Sequence, residues 1–128
     1  MDESREKLYK RCQKALLNKR EETLNGLKAL DPALSQRFGG DEADMAQIFM
    51  EQNSSISQRE RMNELLREID QALERIETGT YGNCEETEEP IEVERLEAMP
   101  WTRLSLEGAE YREAQRKRFA SNPLIRHF

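Results

Sequence analysis

From Met62 to Ile76 the apolar side chains Met62, Leu65, Leu66, Ile69, Leu73 and Ile76 follow one another at mostly helical spacing. Steps of three and four place them on one face of an α-helix. The stripe continues upstream through Arg59, Ile56, Gln52, Phe49, Ile48 and Met45, so one helix is predicted from about Glu42 to Thr78. At 1.5 Å per residue it would be roughly 55 Å long. Residues 52–58 are polar and serine-rich, and the seam is expected to weaken there. A first helix is predicted from Ser4 to Leu30, with Tyr9, Cys12, Leu16, Thr23, Leu27, Leu30 and Leu34 on its stripe and Lys19 filling the middle. Between the two helices lie Asp31-Pro32, where a short turn can restart, and Phe38-Gly39-Gly40. Proline opposes helical geometry in the residue before it, and paired glycines mark a reversal. Asp41 is placed to cap the second helix, with Glu42 and Asp44 favoured in its first turn by the helix dipole. The result is an antiparallel helical hairpin.

Composition supports a thin seam over a thick core. Of 128 residues, 36% are charged and only 6% aromatic. The fold class expected is mainly α: a hairpin over residues 1–79 with its tip near 38–46, a small globular end over 80–120 carrying a C-terminal helix, and a tail over 121–128. Gly79 is placed to end the second helix. Ile91 and Val93 alternate with glutamates, which predicts a short strand. A last helix is predicted from Glu107 to about Ala120, before Ser121-Asn122-Pro123. The net charge of −6 argues against direct nucleic-acid binding, which calls for a clustered basic face. No apolar run of membrane length and no leader-like start is present, so a cytoplasmic, monomeric protein without a membrane role is expected. A nucleophile–base pair, a phosphate-binding glycine loop and a metal cluster are all missing from the sequence, so it is not read as an enzyme.

Residues 72–100 then become specific. Tyr81-Gly82-x-Cys84 follows the helix end, and Arg95-Leu96-Glu97-Ala98 follows Ile91. Upstream, Asp41-x-x-Asp44-x-Ala46 stands at the hairpin tip. In these motifs and their spacing the chain resembles the DksA/TraR zinc-finger family. The resemblance implies a hairpin inserted into the secondary channel of bacterial RNA polymerase, with Asp41, Asp44 and Ala46 as effector residues that shift open-complex stability. Arg61, Arg67 and Arg95 become candidate polymerase contacts, although solvated helix charge explains the first two equally simply. The family's positions for recognising ppGpp fall on Glu68, Met99 and Ala109, none of them basic, so ppGpp independence is expected.

The family's four metal-ligand positions fall on Cys84, Thr87, Ser105 and Gly108, and only the first carries a thiol. A structural zinc site needs four good donors. No metal or other cofactor is therefore expected, and Cys84 is read as a small buried residue. Tyr81, Ile91, Val93, Leu96, Trp101, Leu104 and Leu106 are expected to pack in place of the ion. Independence from zinc and thiolates would suit a stress response. A coiled-coil adaptor without polymerase regulation is the alternative, and a Gre-like cleavage factor fits the Cys84 turn poorly.

Overall fold

The computed structural model of the chain describes residues 3–30 and 45–121. They form four helices: α1 (Glu3–Ala29), α2 (Met45–Thr78), α3 (Val93–Ala98) and α4 (Leu106–Ser121). α1 and α2 make the long helical hairpin. Their antiparallel register is fixed by contacts that run in opposite directions along the two helices: Arg20 with Asp70 at 2.8 Å, Gly26 beside Met62, and Arg59 with the Leu30 carbonyl. The expected tip, with Asp31-Pro32, Phe38 to Gly40, Asp41 and Asp44, lies outside the described residues, as does the tail beyond Ser121.

The core sits at the base of the hairpin. Leu8, Cys12 and Leu16 of α1 are buried against Ile69 and Ala72 of α2, with Leu65, Leu73 and Ile76 packed around them. Leu8 carries the burial that the periodicity assigned to Tyr9, which is only half-buried. Thr23 is buried too, and its hydroxyl donates to the Lys19 carbonyl at 2.7 Å, so the seam tolerates it. Further out, a Cβ on Gly26 would meet Met62 Cε at 3.2 Å, so a bare backbone suits this crossing. The seam does thin beyond that point. Ile56 is 52% exposed, and Arg59 closes the end of α1 by donating to the Leu30 carbonyl at 2.5 Å. That hydrogen bond occupies a carbonyl that a helix C-terminus otherwise leaves without a partner.

α2 ends as expected at Gly79, whose φ of 80° suits a residue without Cβ. Thr80 N–H donates to Arg75 O at 2.9 Å and Gly79 N–H to Ile76 O at 3.4 Å, the paired bonds of a Schellman ending. The predicted strand at Ile91 and Val93 is not formed. One isolated bridge joins Asn83 and Pro90, and Val93 begins α3 instead. Pro90 has no N–H to extend a ladder. Ile91 N–H spends its bond on Gly82 O at 2.8 Å, and the next residues turn into the helix. α4 starts one residue earlier than predicted. Its first turn is held by Ser105, whose hydroxyl accepts from Gly108 N–H at 3.1 Å, and by Glu92, whose carboxylate accepts from Leu106 N–H at 3.0 Å.

Candidate functional site

The knob at the hairpin base is built around three side chains that face α1 and α2. Tyr81, Ile91 and Leu96 are buried, with Trp101 and Leu104 half-buried beside them. Tyr81 donates its hydroxyl to Pro100 O at 2.7 Å and meets the Tyr9 ring edge-on, with centroids 5.2 Å apart. Gly82 lies directly under Tyr9: its φ is 90°, and a Cβ there would come 2.3 Å from the phenol oxygen. Two of the expected packing residues do not contribute. Val93 is 41% and Leu106 55% exposed, because each opens a helix on the side away from the core.

Cys84, Thr87, Ser105 and Gly108 are brought together. Cys84 Sγ is buried and accepts from Thr87 N–H at 3.5 Å. A Cβ on Gly108 would lie 2.5 Å from that sulfur and 3.4 Å from Ser105 Oγ. Burial alone would push the Cys84 thiol up, but hydrogen bonds from the side chains and backbones of Ser105 and Thr87 outweigh it and hold the group down at about 6. The cluster is therefore a cradle that favours the thiolate form of Cys84. It does not fit a tetrathiolate metal centre: it offers one sulfur and two hydroxyls, and the fourth corner has no side chain and no room for one. Purified protein is accordingly expected to carry far less than one zinc per chain, and chelation to leave its melting temperature unchanged. Stoichiometric zinc by mass spectrometry, or collapse with chelator, is the opposite outcome.

Around the cradle runs an ion-pair chain that spacing along the sequence does not reveal. Glu68 of α2 binds Arg103 at 3.0 Å, and Arg103 reaches Glu85 at 3.8 Å. Arg112 of α4 then bridges Glu85 at 3.5 Å and Glu86 at 2.9 Å. Hydrogen bonding to Glu86 strengthens the hold of Arg112 on its proton. These partners lie between 18 and 35 positions apart, outside any helical repeat. Arg75 is half-buried below them, donating to the Trp101 and Thr102 carbonyls.

The remaining candidate residues separate by environment. Arg61 is exposed, and Arg67 is exposed with only a loose pair to Glu64 at 3.9 Å. Arg95 is turned inward, its Nε donating to Leu104 O at 2.7 Å, which makes it a brace between α3 and the chain before α4. Ala46 falls in the first turn of α2, while Asp41 and Asp44 lie outside the described residues. Met99 is half-exposed at the end of α3, and Ala109 lies in the first turns of α4.

A helical hairpin with a small knuckle at its base and a short C-terminal helix defines a class of bacterial proteins. A family model for the prokaryotic dksA/traR C4-type zinc finger matches residues 79–114. That stretch holds one cysteine, Cys84. The structure of transcription factor DksA2 from Pseudomonas aeruginosa superposes with a TM-score of 0.74 at 34% identity, covering 91% of this chain and 88% of that one. The RNA polymerase-binding transcription factor DksA of Caulobacter vibrioides is 43% identical over 77 residues, 60% of this chain and 54% of that protein. General stress protein 16O of Bacillus subtilis is 38% identical over 66 residues, 52% of this chain and 40% of its own length. The chain thus spans about half the length of the curated relatives it matches. It belongs to the DksA/TraR family.

Proposed function

We propose that the chain is a non-catalytic transcription regulator that binds bacterial RNA polymerase through the secondary channel. The observation that carries this reading is the superposition on DksA2 along nearly the whole chain, joined to the sequence match with a DksA named for polymerase binding. The rod supplies the reach: α2 alone, with 34 residues, is about 50 Å long. Asp41, Asp44 and Ala46 act at its tip. Carboxylates there accept hydrogen bonds from polymerase donors or alter the field near a catalytic cation, and so shift promoter-complex lifetimes.

The regulator works without ppGpp and without zinc. Glu68, at one of the positions the family uses for that nucleotide, is instead the partner of Arg103. A carboxylate there repels a phosphate ligand, and neither Met99 nor Ala109 offers it a cation. In transcription with purified polymerase, wild-type protein is expected to change open-complex lifetime by several-fold. Asp44→Asn is expected to retain polymerase affinity and lose that effect. Equal activity of the two proteins, or no binding by either, refutes the reading.

A further inference from the structure

Residues 5–20 carry seven lysines and arginines against one glutamate, in a chain whose total charge is −6. Four of those cations are used internally. Arg5 bonds Tyr9 and Ile91 O, Arg11 pairs with Glu97, Lys19 with Glu22, and Arg20 with Asp70. The other three, Lys7, Lys10 and Lys14, are exposed and have no ion pair or hydrogen bond among the described residues. With Leu17, which is 53% exposed, they are spaced by three, four and three residues. That spacing makes one straight row on α1, on the face opposite Leu8, Cys12 and Leu16. The row is about 15 Å long.

We infer that Lys7, Lys10, Lys14 and Leu17 form a docking face for an acidic protein surface with an apolar spot at one end, carried by the polymerase that the chain is proposed to bind. The inference rests on that functional reading and adds a second contact, on the outer face of α1 beside the knob. Three features favour a protein partner over a nucleic acid. The row ends in an exposed leucine, which a phosphate backbone has nothing to match. Three lysines engage only about three phosphates, a weak grip. The acidic segment 85–97, with seven glutamates, continues from the knob and reaches α1 at Glu97, so an extended polyanion is repelled just beyond the row. A bounded acidic patch escapes that repulsion. Pairing of this kind acts chiefly on encounter rate and salt dependence.

The test compares the full chain with the triple variant Lys7→Gln, Lys10→Gln, Lys14→Gln and, separately, with Leu17→Ala, in binding to core polymerase at low and high salt. These side chains lie outside the core, so helical circular dichroism and melting should match wild type. The triple variant is expected to bind on the order of 10-fold more weakly at low salt and to lose much of its salt dependence. Leu17→Ala is expected to weaken binding at both salt concentrations. Unchanged affinity of the triple variant overturns the docking face. So does a result in which the variant keeps its polymerase affinity but loses binding to labelled single-stranded or duplex DNA, which would assign the row to nucleic acid. Wild-type protein that fails to bind polymerase at all removes the functional reading itself, an outcome distinct from both.

Discussion

Stability against denaturant is expected to rise with pH between about 6 and 9, and the rise is expected to depend on Cys84. In the folded chain burial works against the thiolate, yet the hydrogen bonds from Ser105 and Thr87 prevail and hold the group at about 6, against an ordinary value of 9.0. A group whose folded value is depressed contributes stability that is complete above its unfolded value and is lost as pH falls through its folded one. The gain therefore belongs to alkaline solution and fades towards pH 6. Its ceiling is on the order of 4 kcal/mol, at about 1.4 kcal/mol per pH unit. Cys12 opposes the rise only near its upper end: burial pushes its thiol up, so ionisation of the unfolded chain's thiol begins to cost stability as pH approaches 9. Urea unfolding from pH 6 to pH 9 checks the sign. Cys84→Ser, which removes the titrating group but keeps a small hydrogen-bonding side chain, should flatten the profile. A wild-type profile already flat, or one falling with pH, contradicts the cradle.

Leu96→Ala is expected to cost 2–5 kcal/mol and to loosen the knob from the rod. Leu96 is fully buried in the cluster with Ile91, Tyr81 and Leu8, and its carbonyl lies 3.8 Å from Cys12 Sγ. α3 has only six residues, too few for a helix to persist on its own, so its place depends on tertiary contacts, among which Leu96 is its one buried side chain. Truncating the side chain opens a cavity where the knob meets α1. Urea titration should show the lost stability, and the near-ultraviolet signal of Trp101 should weaken with it. Leu106→Ala is the matched control. That leucine is 55% exposed, and its truncation should change stability by no more than about 0.5 kcal/mol.

The hairpin was readable because helical spacing is a local property. Cys12, Leu16, Thr23, Ile69 and the end at Gly79 all follow from steps of three and four or from the backbone freedom of glycine. The knob was less readable, because its contacts are long-range. Ile91 and Val93 have the alternation of a strand, but a strand needs a neighbour with free backbone groups, and Pro90 cannot lengthen the bridge to Asn83. Leu106 and Val93 were expected in the core on hydrophobicity alone. The turn into each helix points them outward; at α4 that turn is held by Glu92 and Ser105, which accept from the N–H groups of Leu106 and Gly108. The positions around Cys84 were legible as a set through resemblance. Their chemistry needed coordinates, since sequence can show that three thiols are missing but cannot show hydroxyls gathered on the fourth. The chain of ion pairs from Glu68 to Glu86 had no signal, because its partners meet only after folding. The lysine row of α1 did have one, a charge run in residues 5–20 that the net charge of the whole chain concealed.

The bond between Cys12 and Leu96 joins residues 84 positions apart, and the Tyr9–Tyr81 contact joins the same two ends of the molecule. Such contacts impose an order of events during synthesis. The first helix leaves the ribosome with its greasy side facing water, and its permanent partners in the knob are not made until residues 81–96 have followed. Until then its core side chains have only the second helix to cover them, so residues 81–96 complete the burial of a helix made long before them.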